Sequence, residues 1–201
     1  MKTLISEIGI LASRVGTARS ILLHLALLAA FGVWIPYVKG VDFLDSQVLG
    51  AYACLGLLFA APATVQAFPP NFATSFEEAW ARVFSAVLYG EVVTAAFIGA
   101  GIATVYWTHR GRFVPQPDWE TLARCALFGL GAAAMLASLA ALIAVRFSRR
   151  AAMLCLRVAF FGLLVLYFER GQRLTEVGLI DAAACLVVAG LFIELLRRAC
   201  R

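Results

Sequence analysis

Six long apolar stretches fill almost the whole of this 201-residue chain. They run over residues 21–38, 47–68, 83–107, 122–145, 151–168 and 179–196. Each is close to the ~20 residues that an α-helix needs to cross a hydrocarbon core of ~30 Å. Lipid cannot hydrogen-bond an exposed backbone, so these stretches predict helices and not an open sheet. The chain is therefore expected to be an all-α, polytopic membrane protein, with a six-helix transmembrane domain over residues 21–201.

The composition agrees with a protein embedded in a lipid bilayer. Hydrophobic residues make up 63% and charged residues 14% of the chain, against about 45–50% and about 25% in soluble domains. The connections between the stretches are short, so a second folded domain has no room and any soluble function would belong to another chain. The net charge of +5 comes from basic residues at the ends of the spans, which does not predict a nucleic-acid partner.

The distribution of basic residues predicts an orientation. With a cytoplasmic N-terminus, the inner side holds the larger share of the 17 Lys and Arg residues, as the positive-inside rule requires. Trp34, Tyr37, Trp107 and Trp119 then lie near the outer interface, where aromatic belts occur. An even number of spans places both termini inside, which predicts a multi-pass protein of the bacterial inner membrane.

Residues 1–20 are too polar to span. Apolar residues recur in them at helical spacing: Leu4, Ile5, Ile8, Leu11 and Val15. This pattern predicts an amphipathic helix in the inner interface, and a soluble leader helix is the alternative.

The inner loop between the second and third spans carries a candidate helix. Pro69 and Pro70 end the second span, and Thr74 or Ser75 can cap a new helix with acidic residues in its first turn. Residues of this loop are candidates for contact with a partner: Phe76, Glu77, Glu78, Trp80 and Arg82.

Small residues mark a packing face on two spans. The fourth span repeats them at every fourth position, as Cys125, Gly129, Ala133, Ala137 and Ala141, and the third more briefly as Ala95, Gly99 and Ala103. Small residues at this spacing let another helix approach closely. The face is interpreted as packing within one bundle, with a dimer seam or moving surface as the alternative.

Four ionisable residues fall within spans or near their ends: His24, Glu91, Arg157 and Asp181. A charge near the bilayer centre costs ~2.5–3.5 kcal/mol on insertion scales, so each invites a functional interpretation. Glu91 is the strongest candidate because it lies well inside the third span. It is expected to pair with Arg157 or to be protonated, and a structural ion pair and a site residue remain open.

No catalytic or metal site is predicted. The five cysteines, Cys54, Cys125, Cys155, Cys185 and Cys200, form no CxxC and are expected to be apolar filler. Glu77-Glu78-Ala-Trp-Ala-Arg82 fits EExxxR, the first motif of the CAAX-processing family of intramembrane proteases. In that family later histidines help the glutamates to activate water. This chain has only His24 and His109, so the match is taken as chance.

The organisation of the chain resembles the membrane subunit of type-2 ABC exporters, the ABC-2 class of ABC transporter permeases. Those subunits begin with an amphipathic inner helix, as residues 1–20 do, and a basic residue such as Arg19 precedes six spans with both termini inside. Their coupling helix lies between spans two and three, the position of residues 76–82 here, and docks on the ATPase subunit.

This resemblance implies a transport subunit without enzymatic activity of its own. The chain has no Walker A string, so ATP would be bound by a separate nucleotide-binding ATPase subunit. Two permease halves, identical or different, would assemble around the pathway. A scaffold subunit of a larger membrane complex is the alternative, and a glutamate-dependent protease is a third. The sequence does not indicate the substrate.

Overall fold

The computed structural model describes residues 18–68, 75–169 and 179–200, together with Ser6 and Gly9. For residues 18–20, 46 and 160–169 it describes the backbone alone. The described chain is mostly helical, with no strand in those ranges. The α-helices are α1 (Ala18–Leu27), α2 (Ile35–Lys39), α3 (Ser46–Ala53), α4 (Gly56–Ala67), α5 (Phe76–Thr108), α6 (Trp119–Arg146), α7 (Arg149–Glu169) and α8 (Leu179–Ala199).

Five helical segments are long and apolar enough to cross a membrane. They are Ile21–Leu44, Gln47–Ala67, Phe76–Thr108, Trp119–Arg146 and Leu179–Ala199. An all-helical fold with several helices of membrane-spanning length and composition is thus confirmed for the described residues, and the count of six spans stays a prediction. The remaining predicted span, residues 151–168, lies within α7, and the side chains of its second half are outside the described part. The predicted interfacial helix over residues 1–20 also lies outside the described residues, apart from its last turn and two isolated positions.

The first span contains three types of helix. A π-helical segment, Leu28–Trp34, separates α1 from α2, and a 3₁₀ segment, Gly40–Leu44, follows. In a π-helical segment, some backbone groups do not form the regular hydrogen bonds of an α-helix. The Tyr52 hydroxyl donates to the Phe31 carbonyl at 2.9 Å, and Thr104 Oγ1 donates to the Gly32 carbonyl at 3.1 Å. Polar side chains of neighbouring spans therefore stabilise the irregular winding.

The second span is two helices where the sequence predicts one run over residues 47–68. The α-helical ladder stops at Cys54 and Leu55, between α3 and α4. Short-range bonds replace it there: Leu55 N–H donates to the Tyr52 carbonyl at 3.0 Å, and Leu58 N–H donates to the Leu55 carbonyl at 2.9 Å. The span therefore has a tightened, 3₁₀-like turn within its apolar run.

The third span is longer than the sequence predicts. The separate loop helix expected before residue 83 does not exist, because α5 runs unbroken from Phe76 to Thr108 over 33 residues. Ser75 caps it by accepting a hydrogen bond from Glu78 N–H at 3.3 Å, and no proline interrupts it. At 1.5 Å per residue the helix is about 50 Å long, well beyond the ~30 Å of hydrocarbon.

Two apolar clusters fix the ends of the bundle. At one end, Phe68, Val83, Ala141 and Leu196 bring together the end of α4, the start of α5 and the ends of α6 and α8. We call this the Arg146 end. At the other end, Phe43, Tyr52, Phe97 and Val105 join the first three spans. We call this the Trp107 end.

The small-residue face of α6 lies inside the bundle. Cys125, Ala133, Ala137 and Ala141 are buried, and the last three belong to the cluster at the Arg146 end. Gly99 of α5 differs, because a Cβ added there would have no heavy atom within 4 Å. The structure therefore places the α6 face at a contact within the chain and leaves Gly99 exposed.

Candidate intramembrane site

Two glycines let neighbouring helices approach the break in the second span. A Cβ on Gly129 of α6 would lie 2.4 Å from the Ala53 carbonyl oxygen, and a Cβ on Gly90 of α5 would lie 2.5 Å from the Gly56 carbonyl oxygen. Real Cβ atoms do not approach this closely, so both positions need glycine. The backbone on either side of the break is thus held directly against the backbones of α5 and α6.

The Glu91 carboxyl group lies over the first residue of α4. A Cβ on Gly56 would meet Glu91 Oε1 at 2.6 Å and Thr94 Oγ1 at 3.2 Å. Both oxygens therefore surround one small space at the N-terminal end of α4, which carries the positive end of a helix dipole. Glu91 and Thr94 stand three residues apart on α5, so their side chains share one face of that helix.

Both oxygens are buried and lack hydrogen-bond partners among the described residues. Thr94 is only 4% exposed. Buried polar groups without partners are uncommon and costly. A carboxyl group at this position can hold a proton, and the positive end of the α4 dipole favours its ionised form.

The expected ion pair between Glu91 and Arg157 is not formed. No described salt bridge includes Glu91, while Arg157 lines a cavity at the start of α7. Asp181 is exposed in the first turn of α8. His24 forms a hydrogen bond with the Tyr89 hydroxyl, which joins the first span to α5. Of the four ionisable candidates, only Glu91 therefore faces the break.

The sequence prediction missed Thr94, Gly56 and the break itself. The spacing of Glu91 and Thr94 could have suggested a shared polar face. Nothing in the sequence places Gly56 opposite that face, because the contact depends on how α4 and α5 pack.

The start of α5 presents an acidic and aromatic face to the surroundings. Glu77, Trp80 and Phe84 are exposed, and the rings of Trp80 and Phe84 lie 6.0 Å apart. We call these three residues the α5 surface patch. Arg82 faces inward instead: it lies over the Phe68 ring at 5.4 Å and 3.8 Å from the Glu78 carboxylate.

The EExxxR glutamates lie far from His109. His109 follows the last residue of α5, while Glu77 and Glu78 lie in its first turn. These positions are roughly 45 Å apart along the helix axis. The described residues contain no cluster of three or more His, Cys, Asp or Glu side chains that could hold a metal.

Comparison of the chain with protein-family models, with curated proteins and with solved structures finds no match. The interpretation of the site therefore rests on its geometry.

Proposed function

We propose that this chain is the membrane-spanning subunit of an ABC-type exporter, a permease half driven by a separate ATPase subunit. The observation that carries the proposal is the continuity of α5, which joins the α5 surface patch to Glu91 in one helix. In this proposal the patch contacts the ATPase subunit at the cytoplasmic side of an inner membrane. Both termini lie on that side, and the partner subunit binds ATP.

The rigidity of α5 gives the proposal a mechanism. Trp80 and Glu91 are about 16 Å apart along one helix axis, with no proline between them. A displacement of the patch therefore moves Gly90 and Glu91 against the broken second span. The break between α3 and α4 interrupts the α-helical ladder of that span, and the proposal places the motion there.

The face of α5 that points away from the bundle favours assembly of two permease halves. Ala95, Gly99 and Ala103 are exposed at four-residue spacing, and Val92 beside them is 60% exposed. A small-residue stripe of this kind lets two membrane helices pack closely. The proposed partner at this stripe is the second half of the transporter.

The same stripe also favours a second candidate function, a scaffold subunit within a larger membrane complex. A scaffold would use the stripe for assembly but would need no ATPase at the α5 surface patch. The two candidates therefore differ in what contacts Trp80.

Photo-crosslinking separates these candidates. A photo-reactive amino acid in place of Trp80 should form a covalent adduct with a nucleotide-binding chain in intact membranes. The matched control replaces Trp107, which is also exposed but lies at the opposite end of α5, and should give no such adduct. Adducts at Trp80 with lipid alone, or with integral membrane chains alone, would remove the ATPase contact from the proposal.

A further inference from the structure

A cavity of about 790 Å³ opens where α6 turns into α7. It is lined by Ser148, Arg149, Arg150, Met153, Leu154 and Arg157. Three of these residues are arginines, and none of the lining residues that the structure describes is acidic. Because α6 spans the membrane and ends at Arg146, the mouth of the cavity lies at a membrane surface.

These arginines lack the ion pairs that several other arginines of the described chain form. Arg82, Arg124 and Arg197 each lie within 4 Å of a carboxylate on their own helix, at 3.8, 3.1 and 2.7 Å. Arg149, Arg150 and Arg157 have no carboxylate partner in the part of the chain that the structure describes. The cavity thus concentrates positive charge that no carboxylate of the described residues neutralises.

The position of Arg149 and Arg150 in the helix increases this excess. They are the first two residues of α7, which has no acidic residue in its first turn. The N-terminus of a helix carries partial positive charge, and basic side chains there are unfavourable unless an anion is close. A bound anion would relieve both the helix dipole and the repulsion between the guanidinium groups.

Two apolar side chains, Met153 and Leu154, line the cavity beside the arginines. Ala152 and Leu156 face the bundle and are buried, whereas Arg149, Met153 and Arg157 follow one another at four-residue spacing along another side of α7. Arg157 lies about 12 Å further along the axis than Arg149. Leu154, between them, is 63% exposed.

We propose that this cavity binds the phosphate group of an anionic phospholipid, with Arg149, Arg150 and Arg157 around the headgroup. Arginine matches phosphate oxygens by bidentate hydrogen bonding. Clusters of basic residues next to the end of a membrane helix bind anionic lipid headgroups in this way. The lipid, and not free phosphate, is the proposed ligand because Met153 and Leu154 extend the cavity with apolar surface.

Native mass spectrometry of the purified full-length chain tests the proposal. The chain is titrated with phosphatidylglycerol, with phosphatidylcholine, and with phosphatidylglycerol in excess inorganic phosphate. We expect phosphatidylglycerol to bind at least about tenfold more tightly than phosphatidylcholine, since each basic residue at an anionic lipid surface contributes about a fivefold factor. Equal binding of the two lipids would overturn the proposal. Full displacement of the lipid by inorganic phosphate would also overturn it, in favour of a free-phosphate site.

Charge-removing variants locate the site. Arg149→Gln, Arg150→Gln and Arg157→Gln together should abolish the preference for phosphatidylglycerol. The matched control, Lys39→Gln, Arg110→Gln and Arg112→Gln, removes the same charge from exposed residues at the Trp107 end and should keep the preference. Arg157→Gln alone gives a milder variant in case the triple variant does not fold, and it should reduce the preference severalfold. A preference unchanged in Arg157→Gln, or lost equally in the control, would contradict the assignment.

Discussion

Glu91 of α5 occupies the space that the missing side chain of Gly56 leaves on α4, since a Cβ at Gly56 would lie 2.6 Å from Glu91 Oε1. Glycine at position 56 thus permits a buried carboxyl group beside a break in a membrane helix. This relationship connects the irregular second span to the helix that carries the α5 surface patch.

The contact between Gly56 and Glu91 predicts an energetic coupling. Gly56→Ala should lower thermal stability, because the new methyl group and the carboxyl group cannot occupy the same space. The loss should be largely relieved in a Glu91→Ala background, giving a coupling energy of about 1 kcal/mol in a double-mutant cycle. Unfolding curves of the four proteins in detergent measure it. Additive effects of the two substitutions would show that the side chains do not meet.

The contact of Gly129 with the Ala53 carbonyl predicts a larger loss of stability. Gly129→Ala should destabilise the protein by about 1–3 kcal/mol, because the methyl group meets backbone and not the end of a flexible side chain. Gly190→Ala is the matched control on an open face of α8. It should be neutral or stabilising, since alanine favours a helix over glycine by about 0.8–1.0 kcal/mol. Equal unfolding midpoints for the two variants would contradict the close approach of α6 to the break.

The hydrogen bond from Tyr52 to the π-helical segment predicts a small, local effect. Tyr52→Phe removes the hydroxyl that donates to the Phe31 carbonyl but keeps the ring packed on Phe43. Stability should fall by about 0.6 kcal/mol, the average for hydrogen bonds between membrane helices. Tyr37→Phe, at a tyrosine that is 60% exposed, should leave the unfolding midpoint unchanged. A larger loss in the control than in Tyr52→Phe would argue against the bond.

The start of α6 predicts a pH dependence outside the membrane. The side chain of Thr121 donates to the Asp118 carboxylate at 2.6 Å, and its backbone N–H donates at 3.1 Å. These bonds lower the pKa of Asp118 below its usual value. A depressed pKa in the folded state stabilises the protein above the pKa of the unfolded state, and that contribution is lost as the pH falls through the folded-state pKa.

Substitutions at Asp118 check this sign. Asp118→Ala should lower the unfolding midpoint at neutral pH, and the difference from wild type should shrink in acid. Asp118→Asn keeps a capping side chain without the charge, so its midpoint should lack the acid-dependent loss attributable to position 118. A wild-type advantage over Asp118→Ala that grows towards acid would reverse the predicted sign.

The spans were predictable from sequence, whereas their irregularities were not. A long apolar run can be recognised from its composition alone. Five of the predicted stretches are therefore found as helices of membrane-spanning length. The break at Cys54 and Leu55 has no proline at its centre, so the sequence does not predict it. It coincides with close approach by Gly90 and Gly129, which are distant in sequence, so tertiary packing determines where the ladder is interrupted.

One residue of the candidate site, Glu91, could be predicted from the sequence. Glu91 stands out because a carboxyl group is rare inside an apolar run. The expected loop helix was placed correctly in sequence but wrongly separated from the third span. The polar character of Glu77, Glu78 and Arg82 suggested a loop, yet these residues have good helix propensity and Ser75 caps the helix ahead of them. These polar residues show where α5 leaves the apolar region, but they do not mark a boundary between two helices.

The central claim is that the α5 surface patch couples this chain to an ATPase. The most direct test is the ATP hydrolysis rate of the complex purified in mild detergent, comparing Glu77→Lys with Glu120→Lys. Both glutamates lie in the first turn of a long spanning helix, at opposite ends of the bundle. The account predicts that ATP hydrolysis co-purifies with the wild-type chain and with Glu120→Lys and falls at least about tenfold, or about 1.4 kcal/mol, with Glu77→Lys. Absence of ATP hydrolysis from the wild-type preparation, or equal rates in both variants, would contradict it.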